Sequence, residues 1–175
     1  MAYSLKHVSV LIVEDNAHMR SLLTAMLQEI GIQRILRAND GVEGLAVLGA
    51  ENIDLVICDY VMENMNGMDM VRTIRRGQGA INPFLPVIMV TCDASRASVL
   101  KSRDAGVTEF LAKPFSIAGL MQRIEACIET PRPFIRTRNY VGPCRRRQRL
   151  SEFAGVDRRG KTAEEITKMA GNMAS

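Results

Sequence analysis

The feature that most restricts how this chain can fold is a repeated alternation of short apolar runs with longer stretches whose apolar residues fall at helical spacing. Residues 8–13 form a β-branched run of strand length, suited to a strand covered on both faces. Met19, Leu22, Leu23, Met26, Leu27 and Ile30 then recur at i, i+3, i+4, i+7, i+8 and i+11, one stripe of a helix. Gly31 follows where a left-handed cap belongs. The same pair of patterns returns downstream. Strands are predicted at 35–36, 55–58, 85–90 and 108–112, and helices at 41–51, 68–76, 94–104 and 117–128. Right-handed crossovers between successive strands turn such an order into an α/β fold: a five-stranded parallel sheet with helices on both faces.

Composition narrows the class further. The chain of 175 residues is 47% hydrophobic and 24% charged, which excludes global disorder. No stretch reaches the ~18 apolar residues of a membrane helix. The first apolar run ends at Glu14-Asp15, unlike a signal peptide. Cys58, Cys92, Cys127 and Cys144 lie far apart, so a metal knuckle or disulfide framework is not expected and a cytoplasmic location is. Charge divides the chain in two: residues 1–130 carry a net −3 and residues 131–175 a net +7. Thr130-Pro131-Arg132-Pro133 stands at the division, where proline stops a helix. The expected organisation is therefore one α/β domain over 1–130 and a basic C-terminal extension over 131–175.

In a parallel sheet of this kind chemistry collects beyond the carboxyl ends of the strands. Those ends carry Glu14-Asp15, Asp59, Thr91 and Lys113-Pro114. Three carboxylates at one place repel one another and call for a cation, and a small set of hard oxygen ligands favours Mg²⁺. Lys113 offers a point charge and Thr91 a hydroxyl donor to an anion. A carboxylate nucleophile, a divalent metal and a cationic clamp together describe phosphoryl transfer to aspartate.

The motifs Val13-Glu14-Asp15, Cys58-Asp59, Met62 through Gly67, Val90-Thr91 and Lys113-Pro114-Phe115 stand in order at these strand ends. In them the chain resembles the response-regulator receiver domains of two-component signalling, over about residues 8–130. The resemblance implies a flavodoxin-like sheet, Asp59 as phosphoacceptor, and Glu14, Asp15, Asp59 and the Val61 backbone carbonyl as protein ligands of Mg²⁺. It implies that Thr91 and Lys113 contact the phosphoryl group and that Phe110 stands in for the aromatic switch residue. The partners implied are a histidine kinase or histidine phosphotransfer protein and a downstream protein target, with a signalling switch rather than an enzyme as the function. Glu63 replaces a customary proline, Asn66-Gly67 the commoner Asp-Gly, and Cys92 a customary alanine. None of these removes a group the transfer needs.

Each residue also has a plainer reading. Glu14-Asp15 is expected to favour the first helix electrostatically as well. Thr91 suits a strand anywhere, Phe110 suits a core, and Cys58 beside Asp59 reads as a buried small hydrophobe. A phosphatase of the haloacid-dehalogenase type also phosphorylates an aspartate, but Val61 stands where it needs a second acid. In the extension, Gly142-Pro143 is expected to make a turn, followed by Arg145, Arg146, Arg147 and Arg149 and a short helix near 163–171. Phe134, Ile135 and Tyr140 are expected to anchor the start of the tail. The arginine run suits solvent or an acidic surface. A nucleic-acid-binding regulator is the alternative reading, disfavoured because the aromatics are not interleaved with the arginines.

Overall fold

The computed structural model describes residues 5–137 and 139–144. Five strands, β1 (Ser9–Val13), β2 (Arg34–Ala38), β3 (Leu55–Asp59), β4 (Val87–Thr91) and β5 (Glu109–Ala112), form one parallel sheet in the order β2-β1-β3-β4-β5. Five helices alternate with them: α1 (Ala17–Ile30), α2 (Gly41–Ala50), α3 (Gly67–Arg76), α4 (Arg96–Ala105) and α5 (Ile117–Ile128). The order reverses at β1, so strands on either side lead to helices on opposite faces. Leu23 and Leu27 of α1 join Leu120 and Ile124 of α5 over Val10, Ile12, Ile57 and Ile88. Leu48 of α2, Met70 and Ile74 of α3 and Ala105 of α4 cover Leu11, Val13, Val56 and Met89 on the other face. The central strands are apolar on both sides because both sides are core.

The strands and helices predicted within residues 8–130 all appear, with shifts that have local causes. Val8 is outside β1 because its N–H closes a 3-10 turn onto the Leu5 carbonyl. Leu85 is outside β4 because its carbonyl accepts from the guanidinium of Arg75. α4 starts at Arg96, where Ser95 caps the Ser98 N–H and Asp93 accepts from Ser95. Asn16, not Glu14-Asp15, caps α1, its side chain accepting from His18 and Met19. Among the described residues no helix is long and apolar enough to cross a membrane.

After α5 the chain forms an antiparallel hairpin of β6 (Phe134–Thr137) and β7 (Tyr140–Pro143). The turn expected at Gly142-Pro143 is not there: both residues lie in β7, paired with Ile135 and Phe134. Gly142 serves close approach instead, since a Cβ on it would sit 2.9 Å from the Cα of Gly106. Of the three expected tail anchors, Phe134 packs against Phe84 and Tyr140 reaches the end of α4, while Ile135 pairs with Gly142 within the hairpin. The arginines at 145, 146, 147 and 149 and the expected helix near 163–171 lie outside the described residues.

Candidate functional site

Sheet register brings the strand ends together. Val13 pairs with Cys58, Asp59 with Val90, and Thr91 with Ala112, so the residues following β1, β3, β4 and β5 open onto one hollow. Backbone bonds tighten the rim: the Tyr60 N–H donates to the Val90 carbonyl at 2.8 Å, and the Lys113 N–H to the Thr91 carbonyl at 2.7 Å. The Lys113-Pro114 peptide is cis.

Carboxylate oxygens of Glu14, Asp15 and Asp59 all lie within 4.8 Å of one another. Lys113 Nζ stands 3.1 Å from Glu14 Oε2 and 3.1 Å from Asp59 Oδ1, bridging the two more buried acids. Glu14 is 1% exposed, whereas Asp15 is exposed and its Oδ2 accepts from the Glu63 N–H. One ammonium against three carboxylates leaves the hollow short of positive charge, and its donors are all hard oxygens. That donor set fits a divalent hard cation.

The electrostatics follow from burial. Desolvation, with the neighbouring Asp59 charge second, holds the Glu14 carboxyl above its ordinary range. Burial likewise raises Asp59, outweighing its bond to Lys113. Burial works against the Lys113 ammonium, yet the hydrogen bonds and charges of Glu14 and Asp59 together raise it above the ordinary lysine value. A proton on either acid and an additional cation are alternative ways of relieving the same crowding.

Thr91 is 3% exposed, and its Oγ1 accepts from the Asp93 N–H at 3.1 Å, which leaves the hydroxyl proton free to donate elsewhere. Asp93 itself is occupied at the start of α4 by Ser95 and Ser98. Val61 is 69% exposed at the mouth. Phe110 is half-buried on β5, packed against the α2–α3–α4 core. Cys58 is fully buried, and burial raises its thiol far above the ordinary value, as befits a small hydrophobe.

Two supports escaped sequence reasoning. Arg20 Nη1 donates to the Glu14 carbonyl at 2.6 Å and fixes the backbone of the acidic pair. Its position one turn inside α1, six residues after Glu14, is the signal that could have found it. Gly67 opens α3 directly against β3: a Cβ there would overlap the Asp59 carbonyl oxygen, and its N–H donates to the Tyr60 carbonyl at 3.1 Å. Asn66-Gly67 reads as a turn in sequence, but here the glycine is needed for close approach, with Asn66 capping α3.

The family model described as response regulator receiver domain matches residues 10–125. Chemotaxis protein CheY-3 of Vibrio cholerae is 32% identical over 124 residues, covering 71% of this chain and 94% of the relative. Chemotaxis protein CheY of Pseudomonas aeruginosa is 33% identical over 122 residues, 70% of this chain and 97% of that one. Among solved structures, the receiver domain of Francisella response regulator 1452 superposes with a TM-score of 0.65 at 25% identity, covering 71% of this chain and 98% of its own. The receiver domain of a Pseudomonas aeruginosa sensor histidine kinase gives 0.61 at 26% identity, covering 67% and 94%; that structure has a magnesium ion coordinated in its active-site cleft.

Proposed function

The chain belongs to the response-regulator receiver-domain family, whose members are phosphorylation-activated signalling switches, and from that premise we propose that Asp59 is its phosphoacceptor. The reading rests on one observation above others: Lys113 Nζ lies 3.1 Å from Asp59 and 3.1 Å from Glu14, at the end of the strand that follows Thr91. An Asp59 oxygen attacks the phosphorus of a phosphohistidine. The new O–P bond forms as the P–N bond breaks, and its electron pair leaves with the imidazole nitrogen; the donor's other ring nitrogen carries a proton, so the imidazole departs neutral. Lys113 swings its charge from the two carboxylates to an equatorial phosphoryl oxygen, and the Thr91 hydroxyl donates to another. Both groups neutralise charge that is spread over those oxygens in the transition state. Glu14, Asp15, Asp59 and the Val61 carbonyl would hold Mg²⁺, which when bound would supply positive charge to the phosphoryl oxygens. The chain thus assists its own phosphorylation without being an enzyme in its own right.

The donor is a histidine kinase or histidine phosphotransfer protein, and the output is contact with a downstream protein in the cytoplasm. Phe110 reports the state of the site through its ring alone, having no hydroxyl. The receiver spans 1–130, and 131–175 is its basic extension. The test is incubation with radiolabelled acetyl phosphate and Mg²⁺. Wild type takes label; Asp59→Asn takes none, and Asp15→Asn needs more Mg²⁺ for the same extent. Label retained by Asp59→Asn refutes the acceptor assignment.

A further inference from the structure

We propose that the C-terminal hairpin is a clamp on the feet of β4 and β5, and that Arg132 is a positioning residue for Thr91 and Lys113 at the heads of the same strands. The proposal rests on the phosphoacceptor reading only for the roles of those two heads. β4 runs from Val87 to Thr91, and β5 runs from Glu109 to Ala112 and delivers Lys113. Their feet are joined at Thr108, whose Oγ1 accepts from the Val87 N–H at 3.0 Å and whose own N–H donates to the Val87 carbonyl at 2.9 Å. Any displacement of this corner is carried along two short, stiff strands to the site.

Two arginines hold the corner from below. Arg75 of α3 is 5% exposed, and its guanidinium donates to the carbonyls of Leu85 at 2.7 Å, Pro83 at 2.9 Å and Gly106 at 2.9 Å. The hairpin covers it, with the Phe134 ring centroid 5.0 Å from the guanidinium carbon. Arg132, between α5 and β6, is the bridge. Its Nη1 donates to the Thr108 carbonyl at 2.9 Å and its Nη2 to the Cys144 carbonyl at 2.6 Å. Nη1 also lies 3.9 Å from the buried Glu109, which in turn is 3.2 Å from Arg123 of α5.

The hairpin closes over the remaining edge. The Tyr140 hydroxyl reaches the Arg103 carbonyl at the end of α4, 3.4 Å away, and the Pro143 carbonyl at 2.9 Å. A Cβ on Gly106 would meet the Val141 carbonyl at 2.9 Å. A merely solubilising extension has no need of backbone-directed bonds to the start of β5 or of glycines facing each other across a contact. These bonds meet the segment leading into β4, the start of β5 and the ends of α3 and α4, so the clamp acts first on the two strands that carry Thr91 and Lys113.

The experiment uses the full chain as wild type, Arg132→Ala and Arg132→Lys, with two readouts. Site-resolved amide exchange without ligand is expected to quicken in β4 and β5 of Arg132→Ala, including at Thr91 and Lys113, while β1 and β3 keep their wild-type protection. Titration with beryllium fluoride and Mg²⁺ is expected to need about two- to thirty-fold more beryllium fluoride for half-saturation, the range typical of mutations along a coupled network. Arg132→Lys, which keeps the charge but reaches one carbonyl instead of two, is expected to fall between. Equal loosening of all five strands, or unchanged exchange in β4 and β5, overturns the clamp. Faster exchange with unchanged half-saturation overturns the positioning role. If wild type binds no beryllium fluoride at all, the Asp59 reading fails, and the exchange comparison still decides the clamp.

Discussion

Gly67→Ala tests the construction of the site at its tightest point. The substitution places a methyl group on the Asp59 carbonyl oxygen, deep inside the 3.0 Å below which real Cβ contacts essentially do not occur, with Cys58 Sγ and Met89 Sδ both at 3.0 Å. The obstacle is backbone of a central strand, so either β3 or the start of α3 must move. Overpacking of a filled core costs about 1–3 kcal/mol, and loss of the Gly67 bond to Tyr60 adds about 1 kcal/mol. The intrinsic helix preference of alanine returns less than about 1 kcal/mol at a first helical position. The expected net loss is about 3 kcal/mol in urea unfolding. An ångström-scale shift of Asp59 is expected to slow phosphorylation by acetyl phosphate about a hundredfold. Gly44→Ala is the control. Its Cβ meets the flexible Met70 Cε at 2.8 Å, and the Val13 Cγ2 at 3.1 Å, rather than backbone, so stability within about 1 kcal/mol of wild type is expected. A Gly67→Ala protein as stable as the control and phosphorylated at the wild-type rate would refute the close approach of α3 to β3.

Lys113→Ala is expected to accept phosphate still but to show no accompanying change in amide exchange around Thr91 and Phe110, because the group linking β5 to the phosphoryl oxygens is gone; a normal exchange response counts against that role. Val61 has no polar side chain, and the charge of Asp93, which is held toward Ser95 and Ser98, repels an anionic phosphoryl group, so neither is expected to orient water for hydrolysis. Slow self-dephosphorylation follows, and Val61→Asn is expected to speed it by about tenfold or more; loss within seconds in wild type, unaltered by the substitution, would defeat the idea. Burial raises Glu14 and Asp59, so the metal-free folded protein keeps protons there that the unfolded chain has released. Stability from these groups therefore falls as pH rises from the ordinary carboxylate range through the raised values. Asp59→Asn in chelator is expected to flatten that fall and to be more stable at neutral pH; a steeper fall or lower stability would contradict the electrostatics.

The sheet was legible because its central strands are buried on both faces and its helices carry apolar stripes at period 3.6, signals that need no tertiary knowledge. The site was legible because strand ends are where such sheets gather chemistry, and Glu14, Asp15, Asp59, Thr91 and Lys113 all fall there. What sequence could not give was where long side chains go. Arg75 reads as one more basic residue at the end of a helix, yet it is buried on three carbonyls and cuts short the predicted strand at Leu85. Arg132 reads as part of a proline-flanked boundary, yet it ties β5 to the hairpin. Gly142-Pro143 carries turn chemistry locally, but tertiary approach to Gly106 uses the same small residue inside a strand. Each of these is set by contacts distant in sequence, which no local pattern encodes.

Chemical mapping of the phosphorylated residue decides whether Asp59 is the acceptor. Wild-type protein is treated with acetyl phosphate and Mg²⁺, reduced with borohydride so that an aspartyl phosphate becomes homoserine, digested, and sequenced by mass spectrometry. Homoserine is expected at position 59 alone, and none when Mg²⁺ is chelated. Homoserine at position 15 or another aspartate in place of position 59, or full conversion without Mg²⁺, would contradict it.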